Sequence, residues 1–189
     1  MKTGLKRVGY AMITVQSETA TTYGEVKWLT STEAGGREYK AAPTGTIKEI
    51  YADSQLVYQA EAGAGYDIDL TLIDIIDDIR EDWFGDTSYS NGMLEKSTNI
   101  ERPRFALLLA DNDTSDTGKT EIFYNCACKE RPEIGGKTEE KGNWDDQFPV
   151  YKIHAEARPK DDFVRFTTSG ITAVTAVPEP TTTSTPTTP

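Results

Sequence analysis

The 189-residue chain is poor in cysteine, in histidine and in long apolar runs. It has two cysteines and one histidine, and no apolar run approaches the roughly 20 residues of a membrane-spanning helix. The stretch after the first seven residues is too short and too polar for the apolar core of a signal peptide. We therefore expect a protein that folds in the cytoplasm, keeps its thiols reduced and makes no membrane contact.

Positive charge is also scarce. The chain carries 20 basic and 31 acidic residues, which gives a net charge of -11. Such a surface repels phosphate groups, so a protein that grips DNA is excluded, whereas one that lets DNA pass without holding it is compatible with the charge. The length suits one domain with a sizeable core.

The residue types that carry metal and cofactor chemistry do not form a pattern. Cys126 and Cys128 are one residue apart, too close for an unstrained disulfide and unlike the spacing of a structural zinc site. The loop at residues 111–116 lacks the glycine and the glutamate that a calcium loop requires. We predict no metal and no cofactor, with both cysteines packing a sheet.

Catalytic motifs are equally scarce. His154 lies in a predicted strand, and no serine or cysteine motif accompanies it as a nucleophile. The glycines at residues 63–65 are not followed by a phosphate-binding pattern. No spacing singles out a pair of catalytic carboxylates. We therefore predict that the chain is not an enzyme and has no catalytic residues.

What the sequence has in abundance is alternation of apolar and polar residues, which is typical of half-buried strands. Predicted strands cover residues 46–51, 55–59, 67–72, 104–109, 120–129 and 150–158. Apolar residues at helical spacing predict one helix over residues 72–83, stopped by Gly85. We predict a mainly β fold, an antiparallel β-sandwich with one short flanking α-helix.

Two stretches lack strand signals. Residues 31–45 contain three glycines and a proline and few apolar residues, and we predict a long mobile loop there. Residues 177–189 are rich in threonine and proline and predict a disordered tail. The predicted organisation is a β-sandwich domain over residues 1–176, followed by a tail over residues 177–189.

The order of short motifs resembles that of one virus family. The opening GLKRVGYA at residues 4–11 comes first, followed by IYAD at 50–53 with Tyr58, and then by DLTL at 69–72, which leads into a helix closing on Phe84-Gly85. NGM at residues 91–93, RFALLL at 104–109 and KTEEK at 137–141 follow in the same order. The series is similar to the major tail proteins of long-tailed, non-contractile bacteriophages (siphoviruses), and the resemblance covers roughly residues 4–159.

The resemblance implies a structural virion protein, the tail tube protein. In that family a β-sandwich with a flanking helix assembles into hexameric rings that stack around a tape measure protein. Inner strands of neighbouring subunits join into one β-barrel, through which double-stranded DNA passes during ejection. It also implies contacts with tail terminator and distal tail proteins, assembly in the bacterial cytoplasm, and no catalytic residues.

The resemblance and the strand alternation together suggest two sets of site residues. The polar residues Glu49, Asp67 and Asp69 are predicted to face the lumen, where acidic groups keep DNA from adhering. The loop at residues 31–45 is predicted to contact the adjoining ring and to order on assembly. Its candidate contact residues are Gly35, Gly36, Arg37 and Tyr39.

Two other functions stay open at this point. One is another ring-forming tail protein, a terminator or a distal tail protein, which forms a single ring and not a stack. The other is a carbohydrate-binding or adhesion module in which Trp28, Trp83 and Trp144 stack on sugars, although core packing or subunit contacts are the more frequent use of large aromatics.

Overall fold

The computed structural model describes residues 5–30, 35–52, 55–95, 101–111, 118–135, 148–169 and 174–181; for residues 46–52 and 55–64 it describes the backbone alone. Strands make up 56% of the chain and helix 6%, which confirms the predicted mainly β class. The elements are β1 (Leu5–Gln16), β2 (Thr21–Tyr23), β3 (Lys27–Trp28), β4 (Gly36–Ala52), β5 (Gln55–Leu72), α1 (Asp77–Phe84), β6 (Thr87–Tyr89), β7 (Gly92–Leu94), β8 (Phe105–Asp111), β9 (Lys119–Glu130), β10 (Val150–Ala155) and β11 (Arg165–Ser169).

One large antiparallel sheet organises the molecule. Its strand order is β2-β1-β8-β9-β10-β5-β4, with β3 added on β1 and β11 added on β9. The strands predicted at residues 104–109 and 120–129 are confirmed as β8 and β9, which pair antiparallel. The strands β6 and β7 form a separate small hairpin. The sheet bends until β4 approaches β1, where a Cβ on Gly36 would collide with the Val8 and Leu5 side chains.

The concave side of the sheet encloses the main core. Trp83 of α1 lies at its centre and is fully buried. Its ring stacks on Phe105 with centroids 4.5 Å apart, and Tyr10 and Tyr151 meet it edge-on at 5.4 and 5.5 Å. Offset and edge-on contacts of this kind stabilise aromatic clusters beyond the area that they bury. The helix therefore closes the core, as the β-sandwich prediction requires.

The helix is shorter than the sequence predicts. It begins at Asp77, because β5 continues to Leu72 and the chain needs the next four residues to turn. Leu72 is buried in the sheet, where it pairs with Gly36, and its apolar character was misassigned to the helix. The predicted stop is confirmed: Gly85 has φ 70°, and its N–H donates to helix carbonyls.

The predicted loop at residues 31–45 is wrong for residues 36–45. These residues form the first part of β4, in register with residues 65–72 of β5. Pro43 is tolerated because β4 ends the strand order and proline is acceptable on an edge strand. Pairing with the strongly alternating β5 therefore overrides the local preference of glycine and proline. Residues 31–34 lie outside the described residues.

The predicted start of the tail at residue 177 is too early. Val177 packs against a buried apolar cluster, and Glu179 contacts the buried Arg158. Residues 174–181, which we call the strap, therefore lie on the domain. The strap was missed because its contacts depend on side chains far away in the sequence. Residues 182–189 lie outside the described part of the chain.

Candidate functional site

Two of the predicted lumen residues lie together on the convex face of the sheet. Asp67 and Asp69 of β5 alternate with Ile68 and Leu70, which are buried in the main core. Asp67 is opposite His154 of β10, and Asp69 is opposite Lys152 of the same strand. Both aspartates therefore lie on the side of the sheet away from the core, and the prediction that this side faces a lumen stays a prediction.

Asp67 is held by two partners from neighbouring strands. Its Oδ1 lies 2.7 Å from Lys129 Nζ and 2.6 Å from His154 Nδ1. The hydrogen bond from Lys129 and then that from His154 lower the pKa of the Asp67 carboxyl, and they outweigh the small desolvation. The Asp67 side chain is still 46% exposed, so this is a surface cluster.

The convex face around Asp67 has mixed charge. Lys152 Nζ lies 3.2 Å from Glu130, whose hydrogen bond raises the pKa of Lys152, and Arg104 Nη1 lies 3.1 Å from Glu156. We call this surface the charged face. Its members are Lys40, Asp67, Asp69, Arg104, Lys129, Glu130, Lys152, His154 and Glu156.

The bases of the charged face are residues that sequence reasoning missed. They come from β4, β9 and β10 and from the residue before β8, and they meet the aspartates only through strand pairing. One signal was present in the sequence: Lys152 and His154 alternate with the buried Tyr151 and Ile153. The surface around the predicted lumen residues Asp67 and Asp69 therefore carries basic as well as acidic side chains.

Glu49, the third lumen candidate, lies in an extension of the sheet. Residues 46–52 of β4 pair with residues 55–62 of β5, whereas β10 pairs with β5 only from Tyr66 to Thr71. We call the paired residues 46–52 and 55–62 the arm. In the described part of the chain, the two arm strands pair only with each other. The Glu49 side chain lies outside what the structure describes, so its facing stays a prediction.

The predicted ring-contact residues lie at the beginning of β4. Gly35 is buried, and its carbonyl accepts a hydrogen bond from Ile73 N at 3.0 Å. Arg37 is exposed, with its guanidinium 4.2 Å from the Phe148 ring centroid, while Tyr39 packs against the main core. Gly36 lies against β1. These residues are therefore held in a strand, and their part in a ring contact stays a prediction.

An open cavity adjoins this region. Its volume is about 400 Å³, and its lining includes Arg37, Tyr39, Phe123 and Arg165. Arg165 Nε lies 2.8 Å from Glu121 Oε2, so the guanidinium is already engaged. Charged and apolar side chains both line the cavity.

Cys126, Cys128 and His154 were considered in the sequence analysis for metal binding or catalysis, and the structure shows what surrounds each of them. Burial raises the pKa of the Cys126 and Cys128 thiols, which keeps them protonated and unreactive. In the ranges that the structure describes, no three metal-ligating side chains come together. His154 contacts Asp67 and approaches Glu156, with its Nε2 3.9 Å from Oε1.

No protein-family model matches the chain, and no curated protein matches it either. The described ranges contain no helix with the length and apolar character that crossing a membrane requires.

The tryptophans bear on the carbohydrate-binding alternative. Trp83, proposed as an exposed aromatic, is fully buried in the main core, so that assignment is wrong. Trp28 is half-buried, and its indole N–H donates to the Val174 carbonyl at 2.9 Å. Trp144 lies outside the described residues. The described tryptophans therefore form no exposed stacking surface.

Proposed function

We propose that this chain is a tail tube protein, a structural subunit that polymerises into stacked hexameric rings. The proposal rests on the ordered series of motifs whose resemblance to siphovirus major tail proteins covers roughly residues 4–159. The rings enclose a tape measure protein during assembly and later conduct double-stranded DNA. The protein is then part of the virion, contacts terminator and distal tail proteins, and has no enzymatic activity.

The observation that carries the proposal is the arm. A two-stranded ribbon in water is marginally stable, and its outer edges present unpaired N–H and C=O groups. The arm extends β4 and β5 beyond the last residue that β10 pairs, Tyr66 opposite Ala155. A neighbouring copy that pairs with these edges supplies the missing strands.

The charged face fits a conduit for DNA. Asp67 is engaged by Lys129, Glu130 by Lys152 and Glu156 by Arg104 of the same subunit. Asp69 lies opposite Lys152 in the register of the strands, so acids and bases lie side by side on this face. Together with a net charge of -11 for the chain, this gives a surface that does not hold phosphate groups. We assign Asp67 and Asp69 to the lumen on this basis, with Glu49 as a third member.

Electron microscopy of the purified protein at rising concentration, alone and with tape measure protein, tests the proposal. Long hollow tubes are expected. Isolated rings that never stack point instead to a terminator or distal tail protein. A persistent monomer under all these conditions contradicts both functions.

A proline exchange tests the part played by the arm. Glu49→Pro removes an N–H donor where Glu49 is opposite Gln59, and tubes should be lost. Glu18→Pro makes the same exchange in the turn after β1 and should leave tubes intact. The melting temperature of the Glu49→Pro monomer should stay close to wild type. Normal tubes from Glu49→Pro would show that the arm is not an assembly element.

A further inference from the structure

The strap covers an apolar part of the convex face that is separate from the charged face. Beneath it lies a cluster of buried residues: Ala11, Val26, Leu108, Ile122 and Tyr124. Val174 and Val177 of the strap pack against this cluster. The strap is not paired as a strand of the sheet, so its attachment depends on a small set of contacts.

Three hydrogen bonds hold the main chain of the strap. Trp28 Nε1 donates to the Val174 carbonyl at 2.9 Å, and the Val26 amide donates to the Thr175 carbonyl at 2.9 Å. The Tyr124 hydroxyl donates to the Pro178 carbonyl at 2.8 Å. All three acceptors are backbone carbonyls, so these contacts recognise the peptide backbone whatever its side chains.

Arg158 supplies recognition of a side chain. It is 1% exposed, and its two Nη atoms donate to the Glu179 carboxylate at 2.6 Å each. The guanidinium also lies 4.1 Å from the Tyr124 ring centroid. A bidentate arginine-carboxylate pair fixes direction as well as charge, so it sets the position of the strap along the face.

Arg158 is positioned independently of the strap. Its Nε and Nη2 donate to Asp161 at 2.7 and 2.8 Å, and Asp161 Oδ1 accepts a hydrogen bond from the Phe163 amide at 3.2 Å. Trp28 and Tyr124 belong to strands of the sheet. The residues that contact the strap are therefore held in place by the sheet and by the turn at residues 158–163.

We infer that Val26, Trp28, Tyr124 and Arg158 form a peptide-binding groove and that the strap is its ligand in cis. The ligand class is a segment with two small apolar side chains three residues apart and a bend between them, then a proline and a carboxylate. The strap supplies these groups as Val174, Val177, Pro178 and Glu179. A free segment of the same chemistry competes for the groove once the strap is weakened.

A labelled peptide with the sequence of residues 174–181 tests the inference on the full chain. In wild type the attached strap has a high effective concentration and should exclude the peptide. The double variant Val177→Ser, Glu179→Gln weakens the strap and leaves every groove residue unchanged. Fluorescence anisotropy should show the peptide binding this variant at least 10-fold more tightly than wild type.

Two controls separate groove binding from general adhesion. A peptide carrying Glu179→Gln should bind the double variant at least 10-fold more weakly than the parent peptide, and the full chain with Glu18→Gln should behave as wild type. In NMR spectra the indole N–H signal of Trp28 should shift on binding, whereas that of the buried Trp83 should not. Equal binding of both peptides, or no gain over wild type, would overturn the inference.

Discussion

The charged face and the strap contact use the same kinds of side chain in different surroundings. On the charged face, Asp67 is 46% exposed and shares one oxygen between Lys129 and His154. Under the strap, Arg158 is 1% exposed and donates two hydrogen bonds to each of two carboxylates, with its Nη2 serving both. Water competes with the first cluster and hardly with the second. The comparison predicts that similar substitutions have unequal effects.

The largest effect is expected at Arg158. Arg158→Ala removes the two carboxylate pairs and the stacking on Tyr124 together. The free energy of unfolding should fall by about 2–4 kcal/mol, somewhat below the usual value for breaking a buried pair because Glu179 is 42% exposed. Urea denaturation measures the change.

A matched substitution separates charge from geometry at this position. Arg158→Lys keeps the positive charge but cannot make two bidentate pairs, so its stability should lie between that of wild type and that of Arg158→Ala. If Arg158→Ala unfolds at the urea concentration of wild type, the guanidinium is not a structural anchor and the comparison fails.

Acid should weaken the strap contact in a predictable range. Burial raises the pKa of the Asp161 carboxyl, but the hydrogen bonds from Arg158 and the Phe163 amide outweigh it, and the pKa lies below the ordinary 3.8. A carboxyl with a lowered pKa stabilises the fold above its ordinary pKa, and the contribution is lost as the pH falls through the folded value.

The contribution of Asp161 to the free energy of unfolding, measured by urea denaturation, should therefore be constant near pH 7. It should decline below about pH 4. Asp161→Asn removes the titrating group, so the variant should be less stable at neutral pH and its decline below pH 4 should be shallower. An unchanged acid profile in Asp161→Asn would exclude this carboxyl as a source of acid sensitivity.

The smallest effect is expected on the charged face. Asp67→Asn should change the free energy of unfolding by no more than about 0.5 kcal/mol, because exposed ion pairs are weakened by water and by salt. Asp69→Asn, on the same strand and the same face, serves as the control. A loss at Asp67 as large as that at Arg158 would show that exposure does not separate the two regions.

Most of the fold could be predicted from the alternation of apolar and polar residues along the strands. Ile68, Leu70, Tyr151 and Ile153 are buried as their spacing indicates, and Gly85 ends the helix as predicted. Local patterns failed where a distant partner decides the structure. Pro43 and its neighbouring glycines suggest a loop, yet pairing with β5 makes this segment a strand.

The sites were harder to predict than the fold for the same reason. Asp67 and Asp69 were placed correctly on an outward face, but Lys129 and Lys152 meet them only across strands β9 and β10. The residues at 177–181 look like a linker in composition, and only Arg158, some twenty positions earlier, reveals that they are bound. The composition of a segment indicates its conformation in isolation, but it does not reveal the contacts that the folded sheet makes with it.

A cryo-electron microscopy reconstruction of assembled tubes would show directly how the subunits are arranged. We expect stacked rings of six subunits, with arms paired to neighbouring copies and the face bearing Asp67 and Asp69 turned toward the lumen. Tubes in which that face points outward, or subunits joined without the arm, would contradict this expectation.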